Sequence, residues 1–309
     1  MGSLEGRSAV VTGAGRGIGS AVARLLAAEG ASVIVNDPGS DRSGTGTDKE
    51  PAESVVAEIR AAGGTASANF NSVAEFDQAE AMIAQCVDEF GKIDILVNVA
   101  GMLRERMIWN MTEDDFDSVI KVHLKGHWST MHHASRRMRE QRYGRIINFA
   151  SDAWRSTVGQ CNYGAAKGGI VSLTRSVARE LGRFGVTVNA ICPMAATRMT
   201  LNDKVTAGMK KRFDNGLITQ EFYDKVTNMP GPEFIAPMVA YLATEDAKDV
   251  NSQIFHVEQG LVHTYQAPEM YRALYKNDDN GMFTVEDLIQ RVPETLMSGI
   301  DNISPAEDK

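Results

Sequence analysis

The run TGAGRGIG, Thr12 to Gly19, constrains the fold more than any other stretch of the chain. It follows a β-rich run, SAVVTG, and opens GIGSAVARLLAAEG, whose apolar residues recur at helical spacing. Glycine tolerates φ > 0 and lets a phosphate approach the backbone closely. The following helix N-terminus offers free N–H groups and a positive dipole end, which suit a pyrophosphate. The same residues also make a tight βα turn with nothing bound, and the turn alone does not separate the two readings.

The alternation continues. SVIVND, TASANF, IDILVNVAG, RIINFAS, VTVNAICP and SQIFHVEQG read as further strands, about seven in all. Helical stretches lie between them. The longest are TEDDFDSVIKVHLKGHWSTMHHASRRMREQRYG, one helix or two in continuation with Thr112 as N-cap, and NYGAAKGGIVSLTRSVARELGRFG. Such alternation predicts a single Rossmann-type α/β fold: a doubly wound parallel sheet with helices on both faces. Ligands bind such sheets beyond the carboxyl ends of the strands. The chain has 309 residues, enough for one large core. Residues 1–264 are assigned to one dinucleotide-binding and catalytic domain, with a lid at about 198–230. Residues 265–309 are expected to pack on it as an extension, with one short helix in FTVEDLIQRV. Residues 38–50 form a polar, glycine-rich insertion after the second strand.

The net charge of −8 argues against nucleic acid as a partner, since phosphate backbones need a cationic surface. The three cysteines are odd in number and form no C-x-x-C pair, so neither a disulfide framework nor a metal site is expected. No run of 18 apolar residues occurs, and no membrane association is expected. The start runs straight into the first strand and reads as free of a signal peptide; the end, SPAEDK, is not a peroxisomal address. A cytoplasmic location is the expectation.

Several polar residues fall at predicted strand ends. Asp37 ends the second strand, where a carboxylate accepts hydrogen bonds from ribose hydroxyls and repels a 2′-phosphate, favouring NAD over NADP. Asp37 before Pro38 is also ordinary turn chemistry, and Arg16 tolerates a 2′-phosphate. Asn98 to Gly101 close the fourth strand with small residues that suit an adenosine, and Asn71 follows the third; each also reads as turn chemistry. Tyr163 and Lys167 stand at i, i+4 and so share a helix face. An ammonium beside a phenol favours the phenolate and equips it for acid/base work near neutrality. Ser151 ends the preceding strand, placed to hold a carbonyl.

In this order, TGAGRGIG, Asp37, NVAG, GRIINFAS, NYGAAK and NAICPMAATRM resemble the short-chain dehydrogenase/reductase family over roughly residues 6–262. The resemblance implies hydride transfer between a nicotinamide and a secondary alcohol or ketone. Tyr163 is then the general acid/base, Lys167 lowers its pKa and binds the nicotinamide ribose, and Ser151 polarises the carbonyl. Implied cofactor contacts are Gly13, Gly15, Arg16, Gly17, Ile18 and Gly19 in the turn; Asp37, Asn71, Ser72 and Val73 around adenosine; and Asn98, Ala100, Gly101, Pro193 and Thr197 beside the Tyr163–Lys167 pair. Thr197 corresponds to the residue that holds the carboxamide.

Three departures stand out. Val99 replaces the second asparagine of the usual Asn-Asn-Ala-Gly. The spacing from Ser151 to Tyr163 is one residue short, leaving Ser156 as a fallback. His123 stands where the family has a helix-kinking asparagine that positions a relay water. An imidazole titrates near neutrality and both donates and accepts, so His123 is expected to take over the relay. The VIKVHLKG stretch, with AEIRAAGG and GMLRERMIWNMTEDDFDS, resembles the dehydrogenase unit of multifunctional enzyme type 2, also called 17β-hydroxysteroid dehydrogenase type 4, and its single-domain bacterial relatives. That implies a (3R)-hydroxyacyl-CoA or a 17β-hydroxysteroid as substrate. Met102, Trp154 and Met194 are assigned to its wall, and Met107, Trp109 and Met199 are further apolar candidates or core. Arg42, Lys49, Lys204, Lys210, Lys211 and Arg212 either meet a CoA phosphate or are solvated charges. A homodimer or homotetramer through helices at about 113–141 and 161–184 is expected. The alternatives are another cyclic, terpene or aromatic alcohol, or a silent NAD-binding protein.

Overall fold

The structure is a computed structural model, and it describes residues 2–201, 203–276 and 281–300. Two compact units divide the chain, Met1–Tyr265 and Gln266–Lys309. The first contains an eight-stranded sheet in the order β3-β2-β1-β4-β5-β6-β7-β8. Its strands are β1 (Ser8–Thr12), β2 (Ser32–Asn36), β3 (Thr65–Asn69), β4 (Ile95–Asn98), β5 (Gly144–Phe149), β6 (Val186–Pro193), β7 (Ile254–Glu258) and β8 (Leu261–Thr264). All neighbours run parallel except β7 and β8. The count exceeds the expected seven because LVHT turns back through Gln259–Gly260, with Gly260 at φ +72°, onto the open edge of β7.

The helices are α1 (Gly17–Ala28), α2 (Glu50–Ala61), α3 (Phe76–Phe90), α4 (Glu113–Ile120), α5 (Gly126–Gln141), α6 (Cys161–Leu181), α7 (Asp203–Asp214), α8 (Gln220–Thr227) and α9 (Ala236–Ala243). Side-chain alternation divides the core. Ala9, Val11, Val33, Val35 and Val97 face α1, α2 and α9, whereas Val10, Ile34, Leu96 and Ile146 face α3, α5 and α6. Strands buried on both faces require near-continuous apolar runs, as β1 and β4 have. Each such valine or isoleucine contributes about 1.5–3 kcal/mol by leaving water.

Strand order reverses between β1 and β4. Thr12 lies level with Asn36 and with Asn98, so the carboxyl ends of β1, β2 and β4 open a crevice together. Of the two alternatives for the long helical stretch, the structure has two helices in continuation, α4 and α5, joined by a π-helical turn, Lys121–Lys125. Thr112 caps α4 in a capping box with Asp115. The predicted lid contains α7 and α8, whose Phe213 and Tyr223 rings stack at 5.0 Å. In the second unit, the predicted helix is α10 (Val285–Arg291), capped by Thr284. Among the described residues no helix is long and apolar enough to cross a membrane.

Candidate active site

A cavity of about 560 Å³ runs beyond the carboxyl ends of β1, β2, β4, β5 and β6. It begins at the glycine turn. Gly13 adopts φ +65°, and a Cβ there would lie 2.8 Å from the Ala100 Cα. Only glycine lets β1 and the end of β4 come this close. Thr12 ties the same strands, its hydroxyl oxygen accepting from the Val99 and Ala100 N–H groups at 3.0 and 3.2 Å. This closeness makes a cradle that a side chain would fill, and it fits a dinucleotide backbone.

The turn reading of Asp37 is realised, and its carboxylate also seats the glycine turn. One carboxylate oxygen accepts from the Gly39 N–H at 2.7 Å, a turn contact, and the other from the Gly15 N–H at 3.0 Å. Asp37 also lines the cavity. A carboxylate has about four acceptor positions, so two backbone bonds leave room for ribose hydroxyls. Gly15 itself does not line the cavity. A Cβ there would lie 2.8 Å from an Asp37 oxygen, so its role is to seat the carboxylate.

At the other end the cavity gathers Ser151, Tyr163, Lys167 and His123. Ser151 caps the turn that follows β5, its oxygen accepting from the Ala153 N–H at 3.3 Å. Ser156 is exposed and outside the cavity, so the fallback is not needed. Lys167 Nζ lies 5.4 Å from the Tyr163 ring centre and donates to the Phe149 carbonyl at 2.5 Å. Burial pulls the Lys167 ammonium down to about 7. Burial pushes the Tyr163 phenol up to about 12, and its hydrogen bond with Ser151 draws it partly back. The expected lowering of the tyrosine is therefore not a property of the ligand-free site, because desolvation disfavours both charged forms.

His123 also departs from expectation. Burial, with the Lys167 charge nearby, holds it well below 6.5, so it stays neutral instead of titrating near neutrality. Its Nε2 lies 3.0 Å from Met102 N and 2.8 Å from Met102 O, and one nitrogen serves only one of them in a given tautomer. Its Nδ1 has no hydrogen-bond partner among the described residues. The ring stands edge-on to Tyr163 at 5.2 Å.

Of the remaining expected cofactor residues, Arg16, Gly17, Ile18, Gly19, Ser72, Val73, Ala100, Gly101, Pro193 and Thr197 line the cavity. Asn98 and Asn71 do not. Asn98 is a buried strut, donating to Asn148 Oδ1 at 3.0 Å and accepting from the Thr130 hydroxyl at 2.7 Å. The Asn71 carbonyl accepts from Asn36, which takes its place on the wall. Of the substrate candidates, Met102 and Met199 line the cavity. Trp154 instead packs with Ala150, Ile170 and Cys192, Met194 hydrogen-bonds to β7, and Trp109 is 72% exposed on its own loop.

Arg42, Lys49 and Lys210, among the candidate phosphate cations, are engaged elsewhere. Arg42 pairs with Glu105 at 2.8 Å and donates to Met199 O at 3.4 Å. Lys49 lies over the Phe70 ring, and Lys210 pairs with Asp214 at 3.2 Å. Lys211 and Arg212 are exposed, and the Lys204 side chain lies outside the described residues. Arg42 joins the 38–50 insertion to the loop after β4 and to the start of the lid region. Ser40, Asp41 and Gly44 of the insertion also line the cavity. Arg198 was missed. It follows Thr197 in the ATRM run and lines the cavity beside Arg16, donating to the Ser40 carbonyl at 3.2 Å.

Residues 7–208 match the family model for short chain dehydrogenase. The chain is 42% identical over 251 residues to the peroxisomal multifunctional enzyme type 2 of Drosophila melanogaster, covering 81% of this chain but 38% of that protein. It is 39% identical over 262 residues to the 3-oxoacyl-[acyl-carrier-protein] reductase FabG of Staphylococcus aureus, covering 82% of this chain and 98% of that one. A crystal structure of a short chain dehydrogenase from Mycobacterium avium superposes with a TM-score of 0.79 at 40% identity, covering 96% of each chain. With a glycine cradle at one end of its cavity and a serine, tyrosine and lysine at the other, the chain belongs to the short chain dehydrogenase family.

Proposed function

We propose that this oxidoreductase is an NAD-dependent dehydrogenase of a bulky secondary alcohol, such as a (3R)-hydroxyacyl-CoA or a 17β-hydroxysteroid. The observation that carries the reading is that Asp37 and the Ser151–Tyr163–Lys167 group open on one cavity. Met102 and Met199 give the substrate end an apolar wall. The likeness to a 3-oxoacyl reductase supports an acyl thioester over a steroid.

The nicotinamide, when bound, supplies hydride donor and acceptor chemistry. The chain's own residues handle the proton and the geometry. Tyr163, protonated at neutral pH, gives its O–H proton to the carbonyl oxygen in reduction. In oxidation it takes the alcohol proton only after passing its own to a base, and Lys167, near 7, is the adjacent group that can accept it. The Ser151 hydroxyl hydrogen-bonds Tyr163 and orients the same oxygen. Lys167 stands beneath the phenol as a base that gains or loses a proton near neutrality. Asp37 excludes a 2′-phosphate by charge. A second reading, NADP, is favoured by Arg16 and Arg198 at the same end of the cavity, and comparing kcat/KM for the two cofactors separates them.

Partners follow from the same reading: small-molecule alcohols or ketones, and a second copy of the chain. Phe116 on α4 and Trp128 on α5 are 41% and 43% exposed, which supports a homodimer or homotetramer through these helices and is checked by light scattering. Cys86, Cys161 and Cys192, all free thiols, support a reducing, cytoplasmic setting. The test of function is NADH formation across a panel of 3-hydroxyacyl-CoAs, steroid alcohols and cyclic alcohols. Tyr163→Phe should lower kcat by about 10²-fold or more. No turnover across the panel, or full activity in Tyr163→Phe, rejects the reading.

A further inference from the structure

The β7–β8 hairpin borders the catalytic end of the sheet but does not line the cavity. All four residues of β8 are exposed, so burial of apolar surface does not account for the chain turning back here. What the return does is deliver Tyr265. The ladder sets Phe255 opposite Thr264, and the Tyr265 N–H then donates to the Ile254 carbonyl at 2.8 Å. From there Tyr265 reaches the turn that follows Ser151.

The contacts are specific. The Tyr265 hydroxyl donates to one oxygen of Asp152. Its ring meets Trp154 edge-on at 5.5 Å, and the Arg155 guanidinium lies 5.4 Å from its centre. His256, on β7, places Nδ1 2.9 Å from the other Asp152 oxygen and Nε2 3.8 Å from Glu258. Both Asp152 oxygens are thus engaged, and Asp152, Trp154 and Arg155 are each held from outside the turn. The Ser151 oxygen accepts the Ala153 N–H, a bond that depends on the same turn keeping its shape. Beyond Arg155, Ser156 and Val158 are exposed, while on the inner side Trp154 packs against Ala150, Ile170 and Cys192.

We propose that Tyr265 and His256 are positioning residues: gripping Asp152, they hold the turn that aims the Ser151 hydroxyl at the substrate oxygen. This rests on the dehydrogenase reading for its catalytic consequence. Neither Asp152, His256 nor Tyr265 touches the cavity, so the effect passes through Ser151. Misplacement of a catalytic group by about 1 Å costs up to about 10²-fold.

The test has two arms. Amide hydrogen exchange on the free protein reads the turn without turnover. In Tyr265→Phe the Trp154 and Arg155 amides should exchange about tenfold faster, with α1 and the glycine turn unchanged. Steady-state kinetics with the best substrate of the panel reads the consequence. Tyr265→Phe should lower kcat about 3- to 10-fold, and Tyr265→Ala about 10- to 100-fold, with the Kd for NADH unchanged. His256→Gln, which can still donate to Asp152, should retain more activity than His256→Ala. In a Ser151→Ala background, Tyr265→Phe should cost nothing further. Unchanged exchange at the turn overturns the proposal, and so does an additive loss in the Ser151→Ala background. If the wild type turns over no alcohol, the dehydrogenase reading fails while the exchange arm still decides the positioning claim.

Discussion

Replacing Lys167 with methionine should make the cofactor-free protein more stable while removing its activity. Lys167 is buried, and burial brings its ammonium from 10.5 down to about 7. A displacement of that size is about 5 kcal/mol between charged and neutral lysine. Below pH 7 both folded and unfolded chains carry the proton, and the whole penalty falls on the fold. Between pH 7 and 10.5 the unfolded chain still binds the proton and the folded one does not, so stability rises with pH. Above 10.5 the penalty is gone. It is thus about 4 kcal/mol at pH 7 and about 2 kcal/mol at pH 9. The 2.5 Å bond to the Phe149 carbonyl favours the charged form and makes these upper figures. Methionine has a similar length and no charge to desolvate. Urea unfolding of the ligand-free wild type and Lys167→Met should show the variant more stable by about 2–4 kcal/mol at pH 7, with a smaller gap at pH 9. In the folded protein Tyr163 and Cys192, both raised to about 12, do not titrate between pH 7 and pH 9. A variant no more stable than wild type at pH 7, or a gap that does not shrink by pH 9, refutes the reasoning.

Asp37→Ser should reduce discrimination against NADP by about tenfold or more, because the Asp37 charge would no longer repel a 2′-phosphate beside Arg16 and Arg198; kcat/KM for each cofactor reads this. Gly13→Ala sets a Cβ 2.8 Å from the Ala100 Cα at a positive φ, so it should abolish cofactor binding, measured by NADH fluorescence, and cost about 1–3 kcal/mol in urea unfolding. His123→Asn keeps a neutral group able to bond Met102 and should retain substantial activity. His123→Leu should lose most of it, and equal, full activity in both would remove any relay role for this residue.

What could be read from the chain was local. The glycine turn, the Thr112 cap and the i, i+4 pair Tyr163–Lys167 depend on residues within a few positions of each other, and the structure builds each as expected. Asp37 was legible as two alternatives, and the fold shows the turn contact while leaving the carboxylate on the cavity wall. Asn98 and Asn71 misled because strand-end asparagines serve equally as internal struts, and nothing nearby in sequence distinguishes the two. Trp154 misled for a similar reason: an aromatic beside a catalytic serine can turn either way, and here it turns to Tyr265. The π-helical turn at Lys121–Lys125 had no independent signal in the residues, although it seats His123 against Met102.

Sequence by itself determined the parallel sheet and the chemical groups at its carboxyl ends, since these follow from periodicity, glycine and short-range spacing; the strand order that sets the switch point came from the structure. Tertiary structure alone decided which groups meet. Arg42 reaches Met199 across 157 positions, and Tyr265 reaches Asp152 across 113. Contacts at such separation are fixed by how the sheet edge and loops pack, a property of the whole fold. Protonation was decided there as well. Lys167 and Tyr163 share a helix face by spacing, but burial, set by residues from β5 and β6 and by the π-helical turn, determines that one stays near 7 and the other near 12.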